Sequence, residues 1–147
     1  MFKAMLALHL LTAIFAIGPL CHAVTTAARG LRRADAPSVA ESGRMTRMYA
    51  YASVLPVFFG FGLMSSKHPR TGKVVASFSD TYIWASSLLW IVAAILALAV
   101  VAPALDDAAD ALRQGRDASS ARGKVSAAGG VIAIIFLVIV LLMVYKP

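Results

Sequence analysis

Few side chains in this chain can do chemistry: 147 residues hold three histidines (His9, His22, His68), one cysteine (Cys21) and seven acids. Two of the histidines lie in a charge-free stretch, Ala4 to Ala28 (AMLALHLLTAIFAIGPLCHAVTTAA), bounded by Lys3 and Arg29. An ionisable group in hydrocarbon is costly unless something uses or satisfies it, so a histidine there is a functional candidate by default. On one helix, His9 and His22 stand about 140° apart and roughly 20 Å apart along the axis. They cannot share a ligand, nor hold two stacked haems on one face. His9 needs a partner from elsewhere: Met64 or His68 supplies a thioether or an imidazole, and both suit haem iron. His9, Met64 and His68 are therefore the cofactor-site candidates.

Each has a plainer reading. His9 can be hydrogen-bonded to Thr12 or to a neighbouring helix, and His68 can be a solvated turn residue. His22, with Thr25 and Thr26 one turn away, reads as a satisfied interfacial histidine. Cys21 has no disulfide partner in the chain and no metal-ligand spacing around it, so it reads as a small packing residue. There is no phosphate-binding glycine loop, no carboxylate pair within an apolar stretch, no Cys/His cluster and no nucleophile elbow. Asp80 is the only acid near an apolar segment and reads as a helix cap. The lack of mid-membrane charge argues against an ion-coupled transporter. No catalytic or metal-binding residue is expected, and no cofactor, with haem b as the alternative.

The elements that position these residues follow from composition. With 60% hydrophobic residues, 14% charged residues and a mean hydropathy of +0.79, the chain exceeds what one soluble core can hide. The formal charge of +7 sits in short connectors and not on one basic face, so anionic lipid headgroups are its expected partner and nucleic acid is not. A stretch of 25 residues such as Ala4–Ala28 extends about 37 Å as a helix and crosses the ~30 Å hydrocarbon layer. Cleavage as a signal peptide is not expected, because Cys21 and bulky His22 occupy the would-be cleavage site. Leu20 likewise stands where a lipoprotein signal needs a small residue.

The expected architecture is all-α, a single membrane domain built as a four-helix bundle running up-down-up-down. Its spans are expected at about 4–28, 48–66, 80–105 and 125–145, with Gly18-Pro19 kinking the first and Pro56 loosening the second. Gly60 and Gly62 would let a neighbouring helix approach closely. Tyr82 and Trp84 suit an interfacial aromatic belt. The connector 29–47 is expected to be polar, with a helical turn at most after Ser38, whose spacing to Glu41 is that of a capping box. A short new helix is expected after Pro103, because Asp106, Asp107 and Asp110 suit a first turn and not a last one. Gly115 would end it, and 116–124 is expected to be flexible. Gly129 and Ala133 give a small-xxx-small packing face, within the bundle or against a partner.

Lys and Arg number five in 29–47 and four in 106–124, against three in 67–73 with Lys3 and Lys146 at the ends. The positive-inside rule then places both long connectors in the cytoplasm and both termini outside.

LHLLTAIFAIGPL (Leu8 to Leu20), the RMTRMYAYAS that ends the arginine-rich connector, and VVAPALDD at the exit of the third span carry a family resemblance. With these the chain resembles an uncharacterised bacterial family of four-span integral membrane proteins. The opening "LH, four residues, F, then Gly" is also distantly similar to the first span of copper-resistance D-type membrane domains and HemJ-type protoporphyrinogen oxidases. That likeness implies one position only, His9, as a haem or metal ligand. The expected function is a non-enzymatic membrane subunit or scaffold in a bacterial inner membrane, packing as a homo-oligomer or in a larger complex. A b-type haem or quinone-linked redox protein using His9 is the alternative.

Overall fold

The computed structural model describes residues 1–146, and these form helices joined by short turns, apart from a longer connector over 65–80 that is pinned by an antiparallel bridge between Lys67 and Val74. In order they are α1 (Phe2–Arg32), α2 (Ala36–Ala52), α3 (Val54–Met64), α4 (Thr81–Ile95), a π-helical segment (Leu96–Val101), α5 (Ala102–Arg113) and α6 (Ser119–Tyr145). α4, the π segment and α5 form one continuous rod of 33 residues. Three helices are long and apolar enough to cross a membrane: α1, the Thr81–Arg113 rod and α6. α2 and α3 make a fourth rod that bends at Ser53. Its apolar part, α3, has only 11 residues, about 16 Å of helix, and reaches membrane thickness only together with the last turns of α2.

The bend has a local cause. Pro56 offers no N–H to the carbonyl four residues before it, so the helix is weakened in the preceding turn. Ser53 then ties the bend to another element: its hydroxyl donates to the Ala50 carbonyl (2.6 Å) and accepts from Trp90 Nε1 on α4 (2.9 Å). α1, by contrast, runs unbroken through Gly18-Pro19.

The connector 29–47 is largely helical, contrary to expectation, whereas the helix expected between Pro103 and Gly115 is present as α5. α1 continues to Arg32, and α2 starts at Ala36 with Asp35 as its cap, accepting from Ser38 N–H at 3.4 Å. Ser38 is thus not the cap. Glu41 turns instead to Arg44, whose hydrogen bonds and charge hold the Glu41 carboxyl below the usual carboxylate range. α2 buries Val39, Gly43, Thr46 and Ala50, an amphipathic stripe that a turn could not provide.

Pro103 does not begin a new helix either. It sits in the first turn after the π segment, where the wider winding accommodates its ring and missing N–H. The aspartates therefore lie within the rod, and Asp106 receives Arg47 Nη2 from α2 at 2.7 and 2.9 Å. With both side chains more than two-fifths exposed, this pair contributes little beyond register. The turn after α5 contains Gly115 at φ +69, and α6 begins at Ser119. Residues 119–124 are thus helix and not flexible linker. Asp117 accepts from the Ser119 hydroxyl and backbone N–H, and these bonds hold its carboxyl below the usual range.

The main core collects Leu20, Val24, Val39, Val101, Leu105, Val125 and Ile132, all fully buried. It lies toward the end of the bundle that carries the two long connectors. Helices approach closely there. A side chain at Gly43 would begin 3.0 Å from an Asp106 carboxylate oxygen, and one at Gly129 only 2.7 Å from the Val24 carbonyl oxygen. Gly129 therefore serves packing inside the bundle. The opposite end, toward the termini, is more open.

Candidate functional site

His9 faces α3 across the bundle. Its Nδ1 lies 2.7 Å from the carbonyl oxygen of Pro56. A carbonyl only accepts, so Nδ1 carries the proton, and in the uncharged ring Nε2 keeps a free lone pair. The ring fits because α3 has Gly60 at that point: a side chain there would start 3.2 Å from His9 Cε1 and Nδ1. The partner anticipated on a neighbouring helix is thus the Pro56 carbonyl. Thr12 turns instead to the backbone carbonyls of Leu8 and His9.

A cavity of about 380 Å³ lies beside this ring, at the end of the bundle that carries the termini, within the range of small-molecule sites. Helices α1, α3, α4 and α6 all contribute to it, and its walls are almost wholly apolar. His9 and Met64 both border it. His68 does not: it sits in the turn after α3, where its Nδ1 accepts from Arg70 N–H (3.3 Å) and its ring meets the edge of Phe2 at 5.4 Å. Of the three cofactor-site candidates the fold brings two to one space.

The wall contributed by α4 holds residues the sequence reading passed over. Ser86 is 3% exposed, and its hydroxyl has no hydrogen-bond partner. Its neighbour Ser87 makes the usual bond back to the Ile83 carbonyl at 2.8 Å, so the free hydroxyl of Ser86 is not a general property of this helix. Such groups are uncommon, and each calls for an explanation. The signal available in the sequence was the pair of hydroxyls in WASSLLW, between two tryptophans of an apolar run. Tyr82, expected at an interface, is buried with Met64 and Ile83, while Trp84 is exposed. Asp80 precedes α4 but spends a carboxylate oxygen on Ser77 N–H at 2.7 Å, not on the helix N–H groups.

His22 is at the other end. Thr25 and Thr26 donate to its backbone carbonyl, and its ring borders a polar groove with Arg29, Arg33, Asp35 and Ser38. Among the described residues, no three His, Cys, Asp or Glu side chains come together as a metal site would require. No protein-family model, curated protein or solved structure matches the chain.

Proposed function

We propose that the chain is a non-enzymatic integral membrane subunit or scaffold, a four-span up-down-up-down bundle of a bacterial inner membrane that packs with itself or with a larger complex. On this reading the bent α2–α3 rod is the second span, both termini lie outside, and the arginine-rich connectors face anionic headgroups in the cytoplasm. The observation that carries it is a stripe of small residues on the outward side of α6. Gly123, Ser126 and Ala127 are exposed, and Gly130 completes the stripe one turn on. Nothing lies within 4 Å of where a side chain at Gly123 or Gly130 would begin. Small residues at such spacing let helix backbones approach closely in a bilayer, where packing and not hydrophobicity drives association.

The test is crosslinking in native membranes with Ala127→Cys in a Cys21→Ser background, using a short bis-maleimide. Adducts of two or more chains are expected at Ala127→Cys and not at Phe15→Cys, on the exposed face of α1. Monomers alone at both positions would sink the proposal.

The His9 hydrogen bond favours a second reading, the b-type haem or quinone-linked redox protein. Histidines that bind metal commonly donate their other ring N–H to a backbone carbonyl, as His9 does to Pro56. Met64 is then the second donor bordering the same space. Protein purified after expression with ample haem is expected, on this reading, to show a Soret band that His9→Ala abolishes. A colourless preparation excludes the haem form.

A further inference from the structure

We propose that the polar groove between α1 and α2 seats the phosphate of one anionic phospholipid, whose acyl chains run along the exposed face of α1. The two helices meet closely there. Asp35 N–H donates to the Gly30 carbonyl (3.2 Å) as the chain reverses, and Ser38 Oγ comes to 3.1 Å from where a side chain at Gly30 would begin. The groove, of about 250 Å³, is thus walled by α1 on one side and by Asp35, Ser38 and Ser42 on the other.

On the α1 side, His22, Thr26, Arg29 and Arg33 follow at steps of four, three and four, so they share about 60° of the helix surface. His22, Arg29 and Arg33 are exposed and Thr26 is half-buried, so a ligand can reach them. Arg29 and Arg33 stand one turn apart, where like charges repel. Among the described residues neither pairs with a carboxylate, whereas Arg44, Arg47 and Arg113 each do. Asp35, the acid bordering the groove, faces Ser38 N–H at 3.4 Å and offsets one of the two arginines. One positive charge is left over with His22 neutral, and one phosphodiester balances it. Guanidinium forks match phosphate oxygens, and the Ser38 hydroxyl and the His22 ring N–H add two further donors. A zwitterionic headgroup would leave the charge unbalanced.

The rest of α1 distinguishes a lipid from a free anion. Away from the arginines the same strip continues through Gly18, where nothing lies within 4 Å of an added side chain, to Phe15 and Leu11, 69% and 51% exposed. All three lie within about 40° of His22 around the helix, and the strip from Arg29 to Leu11 is about 27 Å long. An acyl chain attached to a phosphate at Arg29 and Arg33 has this apolar track on the same face; inorganic phosphate would make no use of it. The site rests on α1 crossing the bilayer with Arg29 and Arg33 at the headgroups. It is independent of self-association through α6 and of His9.

The test titrates the full chain, purified in dodecyl maltoside, with palmitoyl-oleoyl phosphatidylglycerol and counts bound lipids by native mass spectrometry. Expected is one saturable adduct per chain, at a half-saturation roughly five- to tenfold lower than that of palmitoyl-oleoyl phosphatidylcholine. Arg29→Gln with Arg33→Gln alters exposed residues and is expected to fold, as checked by circular dichroism, while raising half-saturation roughly tenfold. Arg122→Gln with Lys124→Gln removes the same charge from the same end of the bundle and is expected to change half-saturation by less than about twofold.

Equal losses in the two double variants would overturn the proposal in favour of diffuse charge attraction. So would equal half-saturation for the two lipids. Displacement of the lipid by inorganic phosphate at concentrations like those of the lipid itself would assign the groove to a free anion instead. Extraction of the chain from proteoliposomes by alkaline carbonate would sink the membrane reading beneath the site, a result distinct from loss of the adduct.

Discussion

Gly129→Ala is expected to destabilise the bundle by about 1–3 kcal/mol, read as a lower midpoint of SDS-induced unfolding from mixed micelles. The added methyl would start 2.7 Å from the Val24 carbonyl oxygen and 3.1 Å from its carbon. Both are backbone atoms of α1, which no rotamer change can move aside, so α1 and α6 must separate along their whole contact. The adjacent position gives the contrast. At Gly130 no atom of the chain lies within 4 Å, and in detergent-dispersed monomer Gly130→Ala is expected to leave the bundle's stability unchanged or to raise it by up to about 1 kcal/mol through helix propensity. Equal effects at the two glycines would show that α1 and α6 do not meet at this point.

Leu105→Ala is the second large change, with an expected loss of about 2–5 kcal/mol. Leu105 is fully buried at the end where the helices are closest, and its Cβ would lie 3.3 Å from a side chain at Gly43. Because α2 already meets α5 through a glycine, α2 has no side chain there to swing into the space vacated. Much of the cavity would persist, which places the cost toward the upper part of the range. Leu137→Ala on the lipid-facing side of α6, where Leu137 is 60% exposed, removes the same atoms and is expected to change stability by about 0.5 kcal/mol or less. The same unfolding titration measures both, and similar midpoints for the two would refute the packing described.

The three long apolar helices were legible because a charge-free run of more than twenty residues has few alternatives to crossing a membrane. The helix of the connector 29–47 was not. In α2 the buried stripe Val39, Gly43, Thr46, Ala50 repeats at spacings of four, three and four, but a glycine and a threonine in it weaken the hydrophobic signal that marks a helix. Pro37 adds to the disguise: within a polar stretch it suggests a turn, yet it occupies the first turn of α2, where its missing N–H costs nothing.

The site divides similarly. His9 stands out because an imidazole in hydrocarbon is rare, and Gly60 was read as a point of close approach, which it is for the His9 ring. Ser86 is silent in sequence, because a serine in an apolar helix normally bonds back to its own turn, and only the fold shows that this one does not.

The π segment has a consequence for chain length. Ala93, Ala97, Val101 and Leu105 are all fully buried, although in an unbroken α-helix each step of four residues drifts by about 40°, which would carry Leu105 roughly 120° from Ala93. The wider turn at Leu96–Val101 winds against that drift. Eleven residues in place of twelve would return to the same face in three ordinary turns, within about 20°. The rod therefore carries one residue more than its register needs. A one-residue deletion inside Leu96–Val101 leaves Asp106 facing Arg47, whereas the same deletion in the regular helix between that segment and Asp106 swings the carboxylate about 100° away.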